Sequence, residues 1–262
     1  AVRVVHAAAS ETGLQPDDPA RRRLAYDELL ANQLALALVR SRLRRNAGRS
    51  TVGTGEKRQL ILDSLPFSLT SSQRLVLGEI ETDMKEPVRM LRLLQGDVGS
   101  GKTVVALLAM AAAVEAGSQA ALMAPTEILA RQHLSTLTAL CEAAGIRVAL
   151  LTGREKGKER ARILEALSSG EIDILIGTHA LFQEGVEFAD LALAVIDEQH
   201  RFGVHQRLAL QAKSGAKGTD VLVMTATPIP RTLLLTHYGD MDVSKLLEKT
   251  AGRKTGTTHA IH

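Results

Sequence analysis

The octapeptide Gly96-Asp97-Val98-Gly99-Ser100-Gly101-Lys102-Thr103 constrains this chain more than any other feature. It satisfies the phosphate-binding pattern G-x-x-x-x-G-K-[ST] at every fixed position. The apolar run Leu91-Arg92-Leu93-Leu94 precedes it and a helical stretch from Lys102 to Ala116 follows. Strand, glycine loop and helix in that order separate a working phosphate cradle from a chance glycine turn. Gly96, Gly99 and Gly101 allow the tight turn, and backbone N–H groups can then line a phosphate. The helix adds its positive end. Lys102 contributes a point charge on the outer phosphates, and Thr103 a hydroxyl suited to Mg²⁺.

Far downstream, Leu191-Ala192-Leu193-Ala194-Val195-Ile196 runs into Asp197-Glu198-Gln199-His200. A buried strand ending in two acids supplies the complement of a phosphate cradle. Asp197 is placed to hold the metal ion, and Glu198 to orient and deprotonate an attacking water. The two strings together predict nucleoside triphosphate hydrolysis.

Beyond Met90, short apolar runs alternate with helical stretches. Strands are expected at Met90–Leu94, Gln119–Ala124, Ile146–Leu151, Ile172–Gly177, Ala192–Asp197 and Asp220–Thr225. Helices are expected at Lys102–Ala116, Thr126–Ala144, Lys156–Ser168, Val204–Lys213 and Pro230–Tyr238. That alternation implies parallel βαβ units. Near-continuous apolar strands imply a sheet covered on both faces, whose ligands gather at the strands' carboxyl ends. The expected fold class is therefore α/β, a mainly parallel sheet with helices on both faces. A helix at Ala20–Arg45 precedes it, with Leu24, Leu29, Leu30, Leu34, Leu38 and Leu43 marking an apolar side. Its terminal Arg40, Arg42, Arg44 and Arg45 read either as a dipole-matched solvated end or as a nucleic-acid contact. The glycine-rich stretch Asn46–Gly55 suggests a boundary, so the expected division is 1–55 helical linker, 56–247 nucleotide-binding domain and 248–262 tail.

Composition bounds the rest. Of 262 residues, 45% are hydrophobic but only 2% aromatic, with no Trp, which argues against a binder that reads single strands by stacking. The net charge of +3 and pI near 9.1 are compatible with phosphate-backbone contacts without requiring them. Cys141 is the single cysteine and is expected to be a buried, inert thiol; no internal disulfide is possible, which suits a reducing cytosol. No apolar run reaches the ~20 residues of a membrane span. The first residues, Ala1 to His6, are too short and mixed for a signal peptide. The chain does not begin with Met, so a fragment or processed product is expected.

Asp197-Glu198-Gln199-His200 is similar to the DExH box of superfamily-two helicases, and its continuation Arg201-Phe202-Gly203-Val204-His205-Gln206-Arg207 resembles the RecG family of branched-DNA helicases. Leu65 to Gln73, Leu94 to Thr103, Met224 to Thr232 and Tyr238 to Ser244 resemble the same family. The resemblance spans Leu65 to Arg253 and implies a RecA-like domain using ATP and Mg²⁺. It implies an adenine-reading role for Gln73 with Phe67, and coupling of hydrolysis to movement for Thr225-Ala226-Thr227. His200 is implied to couple as well, its alternative being a structural hydrogen-bonded histidine. Pro125, Thr126 and Arg131, then Thr152 and Gly153, then Thr178 and His179 resemble the family's DNA contacts. Capping and turn chemistry is the alternative at each. Arg154, Lys156, Lys158, Arg160 and Arg162 read equally as a phosphate-tracking edge or a solvated face. The resemblance further implies branched DNA as partner, a second RecA-like lobe and a wedge domain outside this chain, a monomer, and a bacterial cytoplasm. Two other readings stay open: a duplex translocase of the Mfd kind, against which Gln199-His200 and Gln206-Arg207 argue, and a nucleotide-binding interaction module without useful turnover, against which the intact Asp197-Glu198 pair argues.

Overall fold

The computed structural model describes residues 18–44, 48–197, 218–227 and 241–248. These fall into two compact units, residues 18–44 with Met241 in the first and the remainder in the second. The expected helices Val204–Lys213 and Pro230–Tyr238, and the tail beyond Glu248, lie outside the described residues.

In the first unit a single helix, α1, spans Pro19–Arg44. The expected apolar side is not hidden: Leu29, Leu30 and Leu34 are exposed. Among its described residues this unit has no other helix or strand to cover them. Among the described residues no helix is long and apolar enough to cross a membrane.

The second unit opens with two helices that hydrophobic periodicity alone does not reveal, α2 (Glu56–Ser64) and α3 (Ser71–Lys85). Then follow β1 (Leu91–Gly96), α4 (Lys102–Glu115), β2 (Gln119–Met123), α5 (Glu127–Ala143), β3 (Val148–Leu151), α6 (Gly157–Ser168), β4 (Ile174–Gly177), a 3₁₀ turn at His179–Phe182, β5 (Leu191–Ile196), β6 (Asp220–Thr225) and β7 (Asp242–Leu246). The seven strands lie in the order β3-β4-β2-β5-β6-β1-β7, and every pairing is parallel. Every residue of β2, β4 and β5 is buried, which requires cover on both faces of the sheet. The P-loop helix α4 is central: Val105 through Val114 are all buried. Cys141 joins the same core, and burial pushes its thiol up to about 12, so it stays protonated and inert as expected.

The seventh strand was not expected from sequence. Asp242-Val243-Ser244-Lys245-Leu246 is short and mixed, so no period identifies it. Its place comes from the ladder to β1 and from polar contacts across elements. Arg92 of β1 donates to Ser244 Oγ at 2.8 Å and to Asp83 at 2.8 Å, and Ser244 donates to Glu79.

Residues 48–55, read in the sequence with the linker, cluster with the second unit. Arg49 holds them there: it grips Asp190 through two nitrogens at 2.6 and 2.7 Å and donates to Ser118 at 2.9 Å. Thr51 N–H donates to the Met84 carbonyl at 2.7 Å. A glycine-rich segment can therefore be well tied down when a bidentate ion pair fixes it.

Asp220, the first residue of β6, is buried and accepts the Met90 N–H at 2.8 Å, while its second oxygen has no partner among the described residues. Burial raises its pKa from 3.8 to about 7 despite that bond. The folded state therefore holds a proton that the unfolded chain has lost, and stability falls as pH rises from about 4 to about 7. Asp220→Asn keeps an acceptor for Met90 and removes the charge. The variant is expected to be more stable than the parent at pH 8 and to lack that pH slope. Urea titrations at pH 5 and pH 8 check this; a parent whose midpoint does not fall between them removes the buried-acid account.

Candidate nucleotide and nucleic-acid site

The phosphate loop begins where β1 ends. A Cβ on Gly96 would lie 2.5 Å from Ser100 Oγ and 2.9 Å from Leu246 Cβ, so only glycine permits this turn. Gly99 and Gly101 have φ of 83° and 84°, the left-handed region that other residues rarely adopt. Ser100 N–H closes the turn on the Asp97 carbonyl at 3.1 Å. Lys102 and Thr103 then form the first turn of α4, where backbone N–H groups lack helical partners. Asp97 and Val98 are exposed on the loop, and Ser100 Oγ is buried within it without a hydrogen-bond partner among the described residues. Lys102 Nζ reaches back to the Gly96 and Asp97 carbonyls at 2.5 and 3.0 Å. The ammonium thus sits over the cradle whose phosphates it would contact. These features suit a triphosphate.

Asp197 follows β5 on the same, C-terminal edge of the sheet. Register places Ile196 opposite Val223 and Leu93 opposite the same Val223, with β6 between. Two strand spacings amount to about 10 Å, a span that one metal–nucleotide complex bridges. Asp197 N–H donates to the Met123 carbonyl at 2.8 Å, and its Oδ2 lies 2.7 Å from His133 Nε2. A carboxylate there, on the edge that carries the phosphate cradle, fits the divalent ion that a triphosphate carries. Glu198 and His200 lie outside the described residues.

Between these strands, Thr225 ends β6 and is buried; its Oγ1 accepts the Thr227 N–H at 3.2 Å. Gln95, at the end of β1, donates to the Thr227 carbonyl at 3.2 Å. The Thr225-Ala226-Thr227 turn is thereby tethered to the strand that carries the phosphate loop. Sequence reasoning missed Gln95, whose partner is 132 positions away.

The two residues implied to read adenine differ in exposure. Phe67 is half-buried and lines a groove of about 610 Å³ with Leu62, Leu65, Arg74 and Leu77. Gln73 is fully buried. Its Oε1 accepts the Thr70 N–H at 2.8 Å, completing a capping box on α3, and its Nε2 donates to the Ser100 carbonyl at 2.8 Å. An adenine-reading role requires an accessible amide edge; here that edge braces the phosphate loop. Gln73 is the second half of a helix cap, and a cap residue must face backbone.

The residues implied to contact DNA follow β2, β3 and β4, the half of the edge beyond β5. Thr126 is exposed and caps α5 by accepting the Leu129 N–H at 3.3 Å; Pro125 before it is half-buried. Arg131 pairs with Glu127 at 3.1 Å and Glu155 at 3.2 Å. Thr152 departs from expectation. It is fully buried, and both its N–H and its hydroxyl donate to Glu155 Oε2, at 2.6 and 2.7 Å. Its side chain offers nothing to a partner, because the turn consumes it. Gly153 beside it is exposed. Burial opposes the charge on Glu155, but hydrogen bonds from the Thr152 hydroxyl and N–H, from its own N–H, and the charge of Arg131 overcome it, and the carboxyl titrates below its ordinary range. Thr178 and His179 are half-buried at the start of the 3₁₀ turn after β4. In the basic row, Arg154, Lys156, Lys158 and Arg162 are exposed, and Arg154 pairs with Glu127 at 2.7 Å. Glu155 and His133 escaped sequence reading. Glu155, at the third position after Thr152, carries the signal of a local carboxylate–threonine turn; nothing local marks His133.

The model of the DEAD/DEAH box helicase family matches residues 70–235. ATP-dependent DNA helicase RecG of Bacillus subtilis is 53% identical over 243 residues, 92% of this chain and 35% of that protein. RecG of Escherichia coli K12 is 49% identical over 253 residues, 96% of this chain and 36% of its own length. The chain thus spans about a third of the length of the curated relatives it matches. Among solved structures, RecG bound to a three-way DNA junction aligns with a TM-score of 0.77 and 46% identity, covering 90% of this chain and 31% of that one. The DEAD-box helicase Mss116 bound to ssRNA and UDP-BeF shares the fold alone, with a TM-score of 0.56 at 17% identity over 76% of this chain and 44% of its own. With its glycine-turned cradle and strand-end carboxylate on one edge of a RecA-like parallel sheet, the chain belongs to the DEAD/DEAH box helicase family.

Proposed function

We propose that this chain is the ATP-binding motor lobe of a RecG-type DNA helicase, which couples ATP hydrolysis to remodelling of branched DNA such as stalled forks and Holliday junctions. The single observation that carries this reading is the convergence of the Gly96–Thr103 cradle and Asp197 on one sheet edge, in a chain about half identical to RecG over nearly its whole length. In this proposal the loop N–H groups and Lys102 bind the triphosphate, and Phe67 borders the base. Thr103 and Asp197 hold Mg²⁺, which when bound neutralises charge on the outer phosphates. Glu198 orients the attacking water and accepts its proton. His200 and the Thr225–Thr227 turn, tethered through Gln95, relay the state of the γ-phosphate to the DNA side. Pro125, Thr126, Arg131, Gly153, Thr178 and His179 form the DNA edge, contacting backbone phosphate rather than bases, while Thr152 shapes that edge from beneath.

A second RecA-like lobe and a wedge domain are proposed partners elsewhere in the full-length protein, which would act as a monomer in the bacterial cytoplasm; support comes from bacterial relatives about three times longer than this chain. An arginine supplied by a second lobe contributes about 10³–10⁵ in rate in related NTPases. The isolated chain is therefore expected to bind Mg-ATP weakly, hydrolyse it slowly and not unwind DNA. ATP turnover and strand displacement, measured on this chain and on the full-length protein with and without a synthetic three-way junction, test the reading. Junction-independent turnover by the full-length protein would refute it, and robust unwinding by the isolated chain would refute the need for a second lobe.

A further inference from the structure

The nucleotide residues follow β1, β5 and β6, whereas the proposed DNA contacts follow β2, β3 and β4. The two halves meet between β2 and β5, and Asp197 sits at that seam. Its backbone N–H bonds the last residue of β2, Met123, at 2.8 Å. Its Oδ2 bonds His133 of α5 at 2.7 Å. Met123 and α5 flank the turn Ala124-Pro125-Thr126. The carboxylate is thus anchored on both sides of one proposed DNA-contact turn.

The link is well protected. The His133 and Asp197 side chains are 12% and 13% exposed. Helix α5 is seated in the core through Ala130, Leu137 and Cys141. His133 lies about 10 Å along the axis from the Thr126 cap. Arg131 ties the first turns of the same helix to Glu155 in the next loop of the DNA edge, at 3.2 Å. A phosphate bound at the α5 N-terminus or at Gly153 therefore acts on an element that touches Asp197 through His133.

We propose that His133 is a positioning residue. It fixes the plane of the Asp197 carboxylate toward the metal ion and transmits DNA engagement at the α5 N-terminus to it. The transmission half rests on the motor-lobe reading above; the positioning half needs only that Asp197 serves the metal ion. Partners that orient a ligating group typically change metal affinity by 10–100-fold when removed, and couplings between sites of 1–3 kcal/mol correspond to roughly 5–150-fold.

The test uses the full-length protein with His133→Phe and His133→Asn, which cannot supply a donor at the Nε2 position, and His133→Gln, whose amide nitrogen can. The first readout is binding of a fluorescent ADP analogue, without DNA, across a Mg²⁺ titration. His133→Phe and His133→Asn are expected to raise the Mg²⁺ midpoint about 10-fold while leaving binding in EDTA unchanged, and His133→Gln to restore the parent midpoint. The second readout is the ratio of ATP turnover with and without a three-way junction at saturating ATP, expected to fall about 10-fold in the same two variants. Thermal melts establish that each variant is folded. A folded Phe or Asn variant with the parent's Mg²⁺ midpoint overturns the positioning role. A shifted midpoint with an intact junction response overturns transmission alone. A parent protein that junctions do not stimulate sinks the motor reading, and the Mg²⁺ titration still decides the role of His133.

Discussion

Glu198→Gln in the full-length protein is expected to bind ATP as the parent does and to lose turnover by about 10²–10⁴-fold. Glutamine is isosteric and still orients a water molecule, but it cannot accept a proton at neutral pH. The loss must therefore appear in kcat, with little change in nucleotide affinity. Lys102→Ala provides the contrast. Lys102 Nζ hangs over the phosphate loop, on the Gly96 and Asp97 carbonyls at 2.5 and 3.0 Å. Its removal takes a positive charge from bound and reacting phosphates alike, so both affinity and kcat should fall. Equilibrium binding of a fluorescent nucleotide, set beside junction-stimulated phosphate release, separates the two patterns. A Glu198→Gln variant with undiminished kcat would remove that residue from the hydrolytic step and leave the second acid of the strand-end pair without a chemical role.

The largest expected effect on stability comes from a residue outside the site. Glu115 ends α4, and its side chain is 1% exposed. The carboxylate accepts the N–H groups of Gly55 and Arg58 at 2.8 and 2.9 Å, so it caps α2 from another helix. Arg58 Nε donates to it at 3.1 Å and Arg58 also pairs with Glu81. Gly53 must lack a side chain, since a Cβ there would lie 2.3 Å from Glu115 Oε2. Glu115→Ala strands two half-buried backbone donors and one guanidinium contact. Breaking a buried, hydrogen-bonded pair from one side costs about 3–5 kcal/mol. Because Arg58 retains Glu81, the lower end, ~3 kcal/mol, is expected. Chemical denaturation of this chain measures it. A cost below ~1 kcal/mol, the worth of one ordinary hydrogen bond, would show that α2 is capped adequately without Glu115.

Residues 48–55 show what a local reading leaves out. Three glycines with Ser and Thr look like a linker, yet Arg49, Thr51 and Gly53 each meet a partner dozens of positions away: Asp190, Met84 and Glu115. Thr152 and Gln73 show the same limit within the candidate site. Their types and spacing match motifs that touch DNA and nucleotide, but burial directs both toward the protein's own backbone and side chains.

The phosphate loop was readable in advance because its requirements are local. Left-handed glycines, a lysine and a hydroxyl at set offsets, and a flanking strand and helix are all written in one continuous stretch, Leu91 to Glu115. Strands β2, β4 and β5 were readable for the same reason, since burial on both faces leaves a continuous apolar run. No local signal could announce that β5 lies beside β2, that β7 completes the sheet, or that His133 meets Asp197 across 64 positions. Those contacts depend on which strands pair and which helix face meets the sheet edge, and only folding in three dimensions brings such distant side chains within hydrogen-bonding reach.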